Sequence, residues 1–143
     1  MKKYLLPIVL IFFIAQNLAA QGFNKTHYLS LIKVDKNEFV TYAESVGMIT
    51  EMDEISETLF ARTKGCVFGK PLGTKNNNAS YDLVLLVSTL DKSNNKLILD
   101  KAKEIPEKKG TWIDDEYLYI EWDMENPNTK EMWYKILVYK RKK

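Results

Sequence analysis

A chain of 143 residues, 45% hydrophobic and 12% aromatic, has the make-up of one globular domain, which excludes a disordered or fibrous protein. The formal net charge of +2 excludes a strongly basic nucleic-acid-binding protein. One cysteine and one histidine exclude an internal disulfide framework and a zinc site built from those ligands.

The chain begins MKKYLLPIVLIFFIAQNLAAQG. Lys2 and Lys3 form a positive start, Leu5 to Ile14 is apolar, and Ala19 and Ala20 supply small residues. This is the pattern of a secretory signal peptide, 1–20, cut near Ala20–Gln21. The apolar run is shorter than the roughly 20 residues that a membrane-spanning helix needs. The expectation is an exported protein, periplasmic or secreted, with no transmembrane segment after cleavage. Lys2 and Lys3 account for two of the 21 basic residues, and no acid precedes residue 21. Residues 21–143 therefore carry 19 basic and 19 acidic residues and form a single domain with no global charge to attract nucleic acid. The basic end, Lys140 to Lys143, reads as a solvated tail that closes a strand.

THYLSLIKV, 26–34, alternates weakly and reads as a short strand or extended lead-in. Asp35 then caps a helix over about 36–46, with Glu38 three residues on. Phe39, Ala43 and Val46 share one face of it, and Gly47 stops it. Thr50 is placed to cap a second helix through EMDEISETLFAR. Its stripe is Met52, Ile55, Leu59 and Phe60, with Glu51, Asp53 and Glu54 in the first turn and Gly65 as the stop.

GCVFGKPLGTKNNNAS, 65–80, combines the lone Cys66 with a Gly-Lys pair. A phosphate loop needs four residues between its glycines and a hydroxyl after the lysine. Here three residues separate Gly65 from Gly69, and Pro71 follows Lys70. The segment reads instead as a short strand at Cys66 to Phe68 and then a connector. Cys66 reads as a small buried residue, because His27 is the one available base and lies near the start of the mature chain.

YDLVLLVST, 81–89, reads as a strand buried on both faces, and DKSNN, 91–95, as a turn. KLILDKAKEI, 96–105, fits either a strand or a short helix, bounded by Pro106 and Gly110. EYLYIEWD, 116–123, and EMWYKILVYK, 131–140, alternate and predict a C-terminal hairpin. The expected register pairs 122 with 132, 120 with 134 and 118 with 136. Asp123, Glu125 and Asn128 lack the glycine and distal glutamate of a calcium loop and read as a polar turn. No cofactor and no metal is expected. Asn24-Lys-Thr26 and Asn78-Ala-Ser80 match the glycosylation acceptor pattern.

The predicted fold is α+β: two N-terminal helices on an antiparallel sheet of three to five strands that ends in the C-terminal hairpin. In the expected register Tyr117, Tyr119, Glu121, Trp133, Lys135 and Tyr139 share a face rich in aromatic residues. Such residues favour interfaces, so these six are the candidate partner-binding set. The predicted function is a small non-enzymatic binding module, an inhibitor or immunity-type protein acting by contact with a protein in the envelope or outside the cell. The alternatives are a glycan-binding protein and a small hydrolase using Glu121 with Asp115.

Overall fold

The computed structural model describes residues 22–143, so the signal peptide and its cleavage point lie outside the described residues. Helix α1 spans Lys25–Lys33, not the strand or extended lead-in read from the sequence. Asn24 caps it by accepting from the Thr26 N–H at 2.8 Å. Tyr28, Leu31 and Ile32, at i, i+3 and i+4, are its buried stripe. Helix α2, Lys36–Ser45, follows as expected. Asp35 accepts from Asn37 N at 2.7 Å and Glu38 N at 3.0 Å, and Phe39 and Ala43 are fully buried. Gly47, at φ 80°, supplies the left-handed turn that ends this helix.

The expected second helix is instead a β-hairpin of β1, Ile49–Asp53, and β2, Thr58–Thr63. The cause is the turn between them. The Asp53 carboxylate accepts from Ile55 N, Ser56 N and the Ser56 hydroxyl, and Glu57 adopts φ 50°. The acids read as a helical first turn are turn and edge residues. Gly65, at φ 66°, turns β2 into β3, Cys66–Pro71, rather than stopping a helix. Strand β4 is Tyr81–Thr89. Helix α3, Ser93–Ile98, occupies the segment read as a turn and the start of the ambiguous one, which continues into the two-residue β5, Lys103–Glu104. Then come β6, Thr111–Ile113, β7, Tyr117–Glu125, and β8, Met132–Arg141.

Among the described residues, eight strands form one antiparallel sheet in the order β1-β2-β3-β4-β8-β7-β6-β5. This replaces the expected three to five strands under two helices. The sheet consists of two four-strand meanders, 49–71 with 81–89 and 103–141, joined where β8 pairs with β4. The C-terminal hairpin is therefore at the centre of the sheet. Phe39, Leu31 and Ile98 from the helices pack with Phe68, Leu85, Val87, Ile136 and Val138 from one side of the sheet. The opposite side has no helix in this cluster. Strand β4 is thus buried at Leu85 and Val87 and half-buried at Leu86 and Ser88, rather than buried on both faces.

The register of β4 against β8 shifts between Leu83 and Leu85, which pairs Leu83 with Tyr139. Asn77 accepts from the Leu83 N–H at 2.8 Å at this irregularity. Asn78 accepts from Ser80 N and Tyr81 N. Two of the three consecutive asparagines thus satisfy backbone donors where the connector enters β4. No helix of the described residues is long and apolar enough to cross a membrane.

Candidate functional site

The β7–β8 register differs from the expected one. Trp122 pairs with Lys135, Ile120 with Leu137, Leu118 with Tyr139 and Tyr119 with Val138. Directly paired residues share a face. The six expected partner-binding residues therefore divide three and three. Tyr117, Tyr119 and Glu121 point to the helix side, whereas Trp133, Lys135 and Tyr139 point to the open side. The reason is the core: Tyr119 is buried to 4% exposure opposite the fully buried Val138, which pins the odd residues of β7 to the even residues of β8.

On the helix side, Tyr119 donates to Asp114 Oδ2 at 2.7 Å. Asp114 Oδ1 accepts from Glu116 N and Tyr117 N. Burial raises the pKa of the Tyr28 and Tyr119 phenols, and it raises that of Tyr117 to about 12. These tyrosines line a cavity of about 250 Å³ beside α1. Its rim is mixed in charge, with Lys25, Lys33 and Lys101 set against Asp100, Asp114 and Glu116. Lys25 and Asp100 form an ion pair there. The arrangement ties α1 to the start of β7 and selects no sign of charge.

Glu121 is half-buried and accepts from Asn95 Nδ2 at 2.9 Å. Asp115 lies in the turn before β7. From Tyr117 to Glu121 alone the strand advances about 13 Å, beyond the ~9.5 Å limit for a carboxylate pair that hydrolyses a glycoside. The two residues of the hydrolase alternative are not brought together.

The open side carries the other arrangement. Pairing aligns Arg62, Val67, Ser88, Lys135 and Trp122 in one row across β2, β3, β4, β8 and β7. The next row is Phe60, Gly69, Leu86, Leu137 and Ile120. Phe60 lies over Gly69, where an added Cβ would meet its Cε1 at 3.0 Å. Trp122, Ile120 and Met124 remain 38%, 36% and 45% exposed. A cleft of about 430 Å³ runs over this surface between Phe60 and Trp133, walled by the loop Asn126–Asn128. That volume is in the range of small-ligand sites. Arg62 is ion-paired with Glu51 and stacks over Phe60, with its guanidinium carbon 5.6 Å from the ring centre. Lys135, half-buried in the cleft, belongs to none of the ion pairs formed among the described residues.

Of the six residues expected from the sequence, Trp133 and Lys135 line this cleft, together with Phe60, Arg62 and Met124, which the sequence reading did not propose. Phe60 and Arg62 had been assigned to a helix, and Trp122 and Met124 to the opposite face or loop. Cys66 is fully buried, and burial pushes its thiol up to about 12, as befits a core residue. No group of three or more His, Cys, Asp or Glu among the described residues is placed to hold a metal ion. Compared with protein-family models, curated proteins and solved structures, the chain has no match in any of the three.

Proposed function

We propose that this chain is an exported, non-enzymatic binding module whose working surface is the open side of its sheet. The observation that carries the reading is the row Phe60, Leu86, Leu137 and Ile120, with Trp122 beside it, on a face against which no helix of the described residues packs. A contiguous apolar surface left uncovered on a globular chain marks a place where something binds. Tryptophan suits that role because it contributes a large contact area with few rotamers to fix. The separation of Glu121 from Asp115 favours binding over hydrolysis at the one carboxylate pair that the sequence suggested.

The test is a titration of the folded protein with a neutral solvatochromic dye. Saturable binding with a blue shift is expected. It should be lost in Trp122→Glu and retained in Glu121→Gln, which alters the helix side. Absence of saturable dye binding by the wild type, or equal binding by Trp122→Glu, overturns the reading.

A further inference from the structure

The open face is not uniformly apolar, and its polar element is specific. Lys135 lies between Ser88 on one neighbouring strand and Trp122 on the other, in direct pairing with both. Lys135, a half-buried residue, has no carboxylate partner among the described residues, whereas Arg62 at the end of the same row is already paired with Glu51. An unpaired cation set beside an apolar wall suits a ligand that joins an anionic head to an apolar body, because the head gains a charge-assisted hydrogen bond while the body is covered. From β2 to β7 the surface crosses four strand spacings, about 19 Å, so it can seat an extended chain as well as a head group.

We infer that the cleft takes an apolar monoanion: a single aliphatic chain lying along Phe60, Val67, Met124 and Trp133, with its carboxylate head on Lys135. One uncompensated cation matches one negative charge, and the Ser88 hydroxyl beside it offers a second donor to the same head group. This rests on the open face being the working surface and adds the class of ligand.

Intrinsic tryptophan fluorescence reports the binding, because Trp133 lines the cleft and Trp122 is paired with Lys135 beside it. The probes are dodecanoate, dodecanol and dodecyltrimethylammonium, each below its micelle concentration. Dodecanoate should bind at least about tenfold more tightly than the other two, the scale of one charge-assisted hydrogen bond. Lys135→Met should reduce dodecanoate affinity to that of dodecanol and leave dodecanol binding unchanged. Lys135→Arg should keep the preference, which separates charge from misfolding. Equal affinity for dodecanoate and dodecanol, or a preference that survives Lys135→Met, overturns the anion assignment and leaves the apolar surface standing. If none of the three binds and the protein sediments as a dimer, a second copy covers the face and the assignment is wrong.

Discussion

Tyr119 and Asp114 are joined by a 2.7 Å hydrogen bond between a buried phenol and a carboxylate that also holds two backbone N–H groups of the turn into β7. Removing the hydroxyl alone, in Tyr119→Phe, should destabilise the fold by about 1.5–3 kcal/mol, the range for hydrogen bonds to charged groups. Asp114→Ala should cost more, because two backbone donors lose their acceptor as well. Urea denaturation curves with unchanged slopes would check the order. Equal midpoints for the two variants would contradict it.

Lys70 gives a pH dependence. Its ammonium group is buried on β3 and donates to the carbonyls of Leu31 at 3.2 Å and Ile32 at 3.4 Å, at the negative end of α1. Burial lowers its pKa from 10.5 to about 8, against the smaller opposing pull of Asp35. Between about pH 8 and 10.5 the unfolded chain therefore binds more protons at this site than the folded one. This residue's contribution to stability should rise with pH through that window. The quantity to measure is the stability difference between wild type and Lys70→Met from pH 7 to 10.5. A difference that falls or stays flat would show that Lys70 is solvated.

Cys66 should behave as a reporter of unfolding. Its thiol is fully buried and pushed up to about 12, so the reactive thiolate is scarce as well as shielded. An aromatic disulfide reagent at pH 8 should label the folded protein only at the rate at which it opens, and the denatured protein at once. Prompt stoichiometric labelling of the folded protein would place Cys66 at the surface.

Gly110 stands at φ 77°, and a Cβ there would lie 2.8 Å from the backbone oxygen of Glu121. Gly110→Ala combines a disfavoured conformation with a clash against backbone. It should cost more than about 1 kcal/mol. Thermal melts of this variant and of Gly22→Ala, whose added Cβ meets one carbonyl at 3.2 Å without a positive φ, provide the comparison. A smaller loss at position 110 than at 22 would contradict the turn.

Helix α2 and the positions of β3, β4, β7 and β8 were legible in the sequence, because Asp35, Gly47 and clear periodicity mark them. Helix α1 was not, because its signal is a single cap, Asn24, before a stripe of only three buried residues. The β1–β2 hairpin was obscured because Met52, Ile55, Leu59 and Phe60 fit a helical stripe. What decides it is the local capture of two backbone donors by Asp53. The hairpin register could not be read because both faces of β7 and β8 are apolar. Hydrophobic pattern discriminates register only when one face is polar. That apolarity on the side away from the helices was present in Leu118, Ile120 and Trp122. The row through Lys135 required the strand order, since it draws residues from five strands.

The sheet ends differently at its two margins. The β5 end has only two residues, too few to template a further strand. The β1 end has five, with Ile49 exposed, so its outer hydrogen-bonding edge can accept another strand. What guards it is charge: Asp53 at the end of β1 and Glu54 beyond it, whereas Glu51 is already ion-paired with Arg62. A second chain pairing antiparallel there would bring carboxylates against carboxylates. The guard is therefore conditional on ionisation. The Ser56 hydroxyl and the Ile55 N–H hold the Asp53 carboxyl below its ordinary range, so this part of the guard persists further into acid than a free aspartate would allow.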